Sequence, residues 1–319
     1  MILVVLLMLV LLIFVSSLSS CHAFIINNNQ NIIRYENQTL YSSQQTSTIK
    51  AIINKSYSRQ EAQDMIDVLC PQNEERDRTI AGMEAYSVGQ DRAITNDDPR
   101  TEYAFDQFPL NSFDILVDRA LDFVQDNDNG DEECRTMVDL GSGCGRLCFY
   151  ADLTRGICEN KTRRWNVHGV EIGSKLHSLA VNSLERGMNN GWFEEHDSNT
   201  ESSSSLITFL NGNALLQVDP YFKTDAQTNN NIQSLLSSAN ILFCYSTVWE
   251  TEDFNPEIQA MILTEKWSKS LANACRNGCV AVTTDRALNP IHGWKLVDRK
   301  EVDNPSVWGS TGYISILEK

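Results

Sequence analysis

Residues 138–146 read VDLGSGCGR. Gly141, Ser142, Gly143 and Gly145 follow an apolar run directly and open a helical pattern. Glycine takes positive φ and has no Cβ, so such a bend can be tight and a ligand can reach its backbone. The helix behind it offers unpaired N–H groups and a partial positive charge. Two further residues belong with this loop. Glu171 ends the next apolar run, VHGVEIG, and an acid there can accept hydrogen bonds from both hydroxyls of a ribose. Asn213 ends the third run, in GNA, and its amide can both donate to and accept from an adenine edge. Loop, acid and amide together predict a pocket for an adenosine-containing cofactor.

Strands and helices have to alternate to bring these three together. FDILVDRALDFV (113–124) has helical spacing of apolar residues, and TMVDL (136–140) reads as a short buried strand. GRLCFYADLTRG (145–156) opens a helix, WNVHGVEI (165–172) is the second strand, and SKLHSLAVNSLERGMNN (174–190) is a helix with Ser174 as its N-cap. LITFLNGNA (206–214) and ANILFCYST (239–247) are strands, and EIQAMILTEKWSKSLANA (257–274) reads as one helix. CVAVTTD (279–285), WKLVDRKEV (294–302) and GYISILEK (312–319) are the last strands. The Ser-rich stretch after Glu194 reads as a surface insertion, and residues 223–238, rich in Asn, Gln and Ser, as an outward loop. Alternation implies parallel pairing. The last two strands pair antiparallel through NPSVWGST. The expected fold is α/β: a seven-stranded, mostly parallel sheet with helices on both faces and a C-terminal antiparallel hairpin.

The bulk composition narrows the function. A net charge of −16 disfavours binding to a nucleic-acid backbone, which needs a basic face. It suits a basic protein partner or a small molecule. The acids at 126–133 and Glu250, Glu252 and Asp253 read as a solvated face. The nine cysteines contain no C-x-x-C pair, and none has a nearby His to complete a zinc site, so no metal is expected. They read as mostly free, buried thiols.

Residues 1–23 carry an unbroken apolar run from Ile2 to Val15, the length of a signal-peptide core, with Cys21 and Ala23 ahead of a cut before Phe24. The run is shorter than a membrane-spanning helix, and no span is expected in the mature chain. Residues 24–60 are polar, basic and poor in acids, as in a transit segment. The two in series, joined at CHAF, resemble the bipartite plastid presequences of algae with secondary plastids. Secretion is the alternative, under which Asn37, Asn54 and Asn160 are glycosylation acceptors. The expected organisation is therefore 1–23 signal peptide, 24–60 transit-like segment, 61–111 helical extension or lid, and 112–319 catalytic domain.

Two adenosine cofactors fit the loop. Nicotinamide dinucleotides favour G-x-G-x-x-G; this chain has G-x-G-x-G, with Arg146 at the third glycine's place. It also has Asp139 two residues before the first glycine. DLGSGCGR, with an acid after the second strand, resembles the first two motifs of class I S-adenosylmethionine-dependent methyltransferases, over about residues 112–319. The VDLGSG-GR form and FDQFPLNSFDILVDRAL (105–121) are similar to the lysine methyltransferases outside the SET group, of the telomeric-silencing-disruptor histone type. The resemblance implies S-adenosylmethionine as cofactor. It implies that Asp139 orients the loop or the methionine amine, that Gly141, Ser142, Gly143 and Gly145 cradle the methionine portion, that Glu171 holds the ribose and Asn213 the adenine. The family often has Asp at the place of Asn213, and its lysine-specific members a Tyr-Gly-Glu loop where Phe105, Asp106 and Gln107 stand here.

Methyl transfer from a sulfonium needs alignment and exclusion of water more than acid–base groups. Candidates follow the fourth strand, in CYSTVWETEDF: Tyr245, Ser246, Thr247 and Trp249 offer hydroxyls and an aromatic wall that can hold an amine by cation–π attraction. His168, inside the second strand, reads as core. The expected activity is methylation of a protein side chain, lysine favoured. The rivals are a small-molecule methyltransferase, a non-catalytic nucleotide-binding protein and, more distantly, a nicotinamide dehydrogenase.

Overall fold

The computed structural model describes residues 50–53, 56–90, 107–125, 134–156, 164–195, 205–215 and 226–319. Residues 1–49 of the expected presequence, the acidic stretch 126–133, Phe105, Asp106 and the acceptors Asn37, Asn54 and Asn160 lie outside them, whereas Lys50–Ile53 and Ser58–Gln60, expected in the transit-like segment, belong to a strand paired in the sheet and to a helix start. Among the described residues no helix is long and apolar enough to cross a membrane.

Seven strands form the body of the sheet: β2 (Cys134–Leu140), β3 (Arg164–Glu171), β5 (Ser205–Asn211), β6 (Ile241–Cys244), β9 (Val280–Thr284), β10 (Trp294–Val302) and β11 (Ser310–Leu317). Their order is β10-β11-β9-β6-β2-β3-β5, extended beyond β5 by the short β1 (Lys50–Ile53) and β4 (Glu194–Glu195). β3, β2, β6 and β9 run parallel to one another, as does β5 beside β3. β11 is antiparallel to both β9 and β10. This is the expected α/β sheet with its C-terminal hairpin. The central strands β6 and β9 are buried at every position, as parallel strands covered on both faces must be.

Helices α1 (Arg59–Leu69), α2 (Glu75–Gln90), α3 (Leu110–Leu121), α4 (Arg146–Arg155), α5 (Ser174–Asn189), α6 (Ala226–Ser238) and α7 (Glu265–Ala274) surround the sheet. One face carries a core of Phe113, Leu116, Phe149, Leu153, Ile207 and Phe243. The other carries Val138, Leu242, Ile232, Leu236 and Leu271. α1 starts on a capping box in which Ser58 and Glu61 satisfy each other's backbone N–H groups. Asp114 of α3 fixes the first of these faces. Its carboxylate pairs with Arg59 and Arg155 and accepts from the Tyr150 hydroxyl at 2.8 Å.

Three sequence readings change. Residues 226–238, read as a loop, form α6, because Ile232 and Leu236 supply a buried face one turn apart. Residues 257–274 are not one helix. β7 (Thr251–Asn255) and β8 (Ala260–Leu263) make an antiparallel hairpin, and only then does α7 begin. The hairpin turns at Gln259, held at φ 51, and β8 continues by hydrogen bonds to Ala287. The apolar run AMIL fits either period, and its pairing decides it. Between β9 and β10, where no helix was expected, the chain makes a short 3-10 turn at Pro290–His292. Gly173, not Ser174, caps α5.

Candidate active site

β2 delivers Asp139 to the carboxyl edge of the sheet, and the chain then turns through Gly141, Gly143 and Gly145 at φ 78, 56 and 82. Gly145 is obligatory: a Cβ there would lie 2.6 Å from the Phe209 ring. Gly169 in β3 is needed as well, because its Cβ would meet Ser142 Oγ at 2.6 Å. The bend is tied to the neighbouring strand by Gly141 N donating to Val170 O at 2.8 Å.

Glu171 stands against this bend. Its Oε2 accepts from Gly143 N at 2.8 Å and its Oε1 from Gly173 N at 2.6 Å. Glu171 is only 6% exposed, and burial raises its pKa against the backbone N–H groups of Gly173, Gly143 and Ile172, which lower it. Asn213 lies at the same edge, buried, with Oδ1 accepting from Leu215 N at 2.9 Å. The three sequence-predicted cofactor elements are therefore adjacent. Two features lie beyond the sequence reading: Glu171 braces the glycine loop directly, and Asn213 Oδ1 closes its own turn.

Asp139 is 2% exposed. Burial pushes its pKa from 3.8 to about 7; the Cys148 thiol, donating at 3.6 Å, works against this, and the charge of Glu171 adds to it. Ser142 Oγ is buried with no hydrogen-bond partner among the described residues. Such an orphaned hydroxyl costs free energy unless a ligand meets it. Both Asp139 and Ser142 line one cleft, together with Gly141, Gly143, Cys144, Arg146, Leu147, Gln107, Phe108 and Tyr245.

Across the cleft from the loop stand Phe108 and Tyr245, with ring centroids 5.1 Å apart. Arg146 donates to Phe108 O at 3.1 Å, so the first residue of α4 holds the 107–109 segment over the loop. Tyr245 is fixed from the other side. Asn304 Nδ2 donates to its hydroxyl at 3.1 Å and to Ser310 Oγ at 2.8 Å. Ser310 Oγ and Thr247 Oγ1 donate to Asp285 Oδ2 at 3.0 and 2.6 Å. The Asp285 carboxylate can only accept, so it sets the direction of this chain and thereby the orientation of the Asn304 amide.

Of the four residues expected at the transfer site, only Tyr245 lines the cleft. Ser246 is fully buried and exchanges hydrogen bonds with the Thr284 backbone, accepting from N at 3.1 Å and donating to O at 2.9 Å. Thr247 is bound to Asp285. Trp249 stacks on Trp267 at 3.8 Å and 18°. Those three join β6 to its neighbours rather than face an acceptor. His168 is buried and bonded to Thr208 at 2.6 Å, as a core residue. The residues that sequence reasoning missed are Phe108, Arg146, Asp285 and Asn304. Only Arg146, at the place of a third glycine, left a signal. Among the described residues no cluster could hold a metal ion.

No protein family and no curated protein matches the chain. Solved structures that resemble it include the magnesium protoporphyrin IX methyltransferase of Synechocystis PCC 6803 with bound S-adenosylmethionine, at 13% identity and TM-score 0.36, covering 75% of this chain and 96% of that one. An S-adenosylmethionine-dependent methyltransferase from Thiobacillus denitrificans, in complex with S-adenosylhomocysteine, is 12% identical at TM-score 0.36, covering 70% of this chain and 100% of that one. TrmK of M. capricolum, with the same product bound, is 10% identical at TM-score 0.33, covering 64% and 68%. These likenesses assign no residue, and the functional reading rests on the cleft.

Proposed function

We propose that this chain is an S-adenosylmethionine-dependent methyltransferase of the class I type. One observation carries the reading: the glycine bend, the buried Asp139 and the orphaned Ser142 hydroxyl line one cleft with Tyr245 and Phe108, and Glu171, outside that lining, braces the bend through Gly143 N. The bend, Glu171 and Asp139 suit an adenosine cofactor with a charged tail. A nicotinamide dinucleotide would set its pyrophosphate at the start of α4, where Arg146 instead holds Phe108.

When bound, S-adenosylmethionine supplies an electrophilic methyl on a sulfonium. The residues of this chain bind and align. Glu171 keeps a lone pair on each oxygen for the ribose hydroxyls while it holds the loop. Asn213 edges the adenine. Asp139, as carboxylate, receives the methionine ammonium, and Ser142 Oγ meets the methionine portion beside it. Tyr245, anchored through Asn304 to Asp285 and backed by the buried Phe108 ring, forms the acceptor wall, and its face suits a cationic or apolar acceptor.

For the acceptor we retain a protein amine, lysine favoured, supported by the net charge of −16 and this aromatic wall; a small molecule is the rival. The segment ahead of β1 is retained as an export and plastid presequence, secretion being its alternative; it stops short of residue 60, because Lys50–Ile53 pairs with β5 and Ser58 caps α1. Incubating the purified chain with tritiated methyl donor and a desalted extract separates the acceptors. Label in protein bands supports the first reading, label in the small-molecule fraction the second. No transfer in either fraction counts against a methyltransferase.

A further inference from the structure

Arg146 brings a charge to the cleft that the protein does not answer. It is the first residue of α4, straight after Gly145, and it lines the cleft with Asp139 and Ser142. A guanidinium holds five N–H groups in a planar fork. One of them donates to Phe108 O at 3.1 Å. The others have no partner among the described residues. Arg59, Arg119, Arg155 and Arg186 each pair with an acid, whereas no described carboxylate lies within ion-pair distance of Arg146. Burial draws its pKa down, yet an arginine stays ionised. A partly buried cation with one neutral acceptor is under-compensated until an anion joins it.

The same lining holds the opposite charge. Asp139 is buried, and its carboxylate accepts from the Cys148 thiol rather than from Arg146. An acid and a cation thus share one cleft without pairing. A pyrophosphate there would answer Arg146 and meet a like charge in Asp139. An amine alone would answer Asp139 and be opposed by Arg146. A zwitterion, with ammonium and carboxylate on one carbon, answers both, and the methionine end of the proposed cofactor is such a group.

We propose that Arg146 binds the carboxylate of the cofactor's methionine end, through N–H groups other than the one given to Phe108. The inference rests on the proposed cofactor. Among the described residues that line the cleft, Arg146 is the only cation. It then has two tasks. One N–H holds the 107–109 segment over the loop, and the others hold the ligand's tail. Binding of the cofactor neutralises the guanidinium, so a cationic acceptor at Tyr245 meets no unpaired positive charge. A carboxylate on the acceptor has the same chemistry. The cofactor's is favoured because Asp139, the partner of its ammonium, lines the same cleft.

The test compares S-adenosylhomocysteine with its analogue lacking only the carboxylate, by calorimetry on the full chain, Arg146→Gln and Arg146→Lys. The full chain should bind S-adenosylhomocysteine about tenfold or more tighter than the analogue. Arg146→Gln should lose that preference: affinity for S-adenosylhomocysteine falls about tenfold or more, and affinity for the analogue stays within about threefold. Arg146→Lys, a point charge without the fork, should keep part of it. The analogue is also the check on folding, since a variant that binds it has an intact cleft. Equal losses with both ligands would mean that Arg146 acts only through Phe108, and would overturn the proposal. So would the absence of any preference in the full chain. Unchanged affinities with slower methyl transfer to extract acceptors would place the carboxylate on the acceptor and overturn it as well. Should the full chain bind neither ligand, the cofactor reading itself has failed, and the inference falls with it.

Discussion

The two walls of the cleft are built in different ways. The glycine-loop wall comes from two adjacent parallel strands, β2 and β3, and is held by its own backbone N–H groups: Gly141 N on Val170 O and Gly143 N on the Glu171 carboxylate. The Tyr245 wall comes from three separated stretches, 245–247, 284–285 and 304–310, and is held by side chains donating in sequence to Asp285. A backbone-built wall is fixed by where strands end and where glycine is required. A side-chain network can be rewired residue by residue. The first suits a cofactor that never varies; the second suits an acceptor that does.

The largest effect to break this contrast is expected at Glu171. Glu171→Ala leaves two buried N–H groups unpaired, at about 1–3 kcal/mol each, and should lower S-adenosylhomocysteine affinity at least a hundredfold by calorimetry. Tyr245→Phe should leave that affinity within about threefold; the reverse ranking would put the cofactor on the wrong wall. Gly145→Ala forces a Cβ into Phe209 at positive φ and should cost about 2–3 kcal/mol in urea unfolding.

A smaller effect is set by pH. Asp139, with its pKa at about 7, is protonated in the folded chain below that value and must release its proton to meet an ammonium. Affinity for S-adenosylhomocysteine should therefore fall as pH drops through 7, approaching tenfold per unit, and Asp139→Asn should remove this slope. The same shift means the folded state holds a proton that the unfolded state gives up. Asp139's contribution to stability is thus greatest at the acid end and falls as pH rises from about 4 to 7.

Asn304→Leu should lower methyl transfer to extract acceptors about tenfold while cofactor affinity stays within twofold. In a Tyr245→Phe background it should add little, because the two act through one hydroxyl. Full additivity would mean that Asn304 works elsewhere. Ser246→Ala, smallest of all, should cost about 1–2 kcal/mol of stability without changing cofactor affinity, separating a structural tie from a contact with ligand.

The same contrast explains what could be read from the sequence. Asp139, the glycines, Glu171 and Asn213 lie at strand ends, where period and residue type locate them; the sheet, its order-reversing hairpin and the cofactor wall follow from that. Tyr245 was legible as the residue leaving the fourth strand. Ser246, Thr247 and Trp249 looked equally available, since nothing local says that Thr284, Asp285 and Trp267 will take them. Asp285 and Asn304 gave no sign, being 40 and 59 residues from Tyr245. The β7–β8 hairpin was hidden for a related reason: AMIL satisfies both periods, and its partner is chosen by tertiary pairing. Residues 226–238 misled through polar composition, although two buried aliphatic positions suffice to dock a helix.

The most direct measurement is calorimetric titration of the purified, reduced chain with S-adenosylhomocysteine and, separately, with NADH. A saturable one-to-one heat with S-adenosylhomocysteine, abolished in Glu171→Ala, and none with NADH is the predicted result. Binding of NADH alone, or S-adenosylhomocysteine binding that survives Glu171→Ala unchanged, would contradict it.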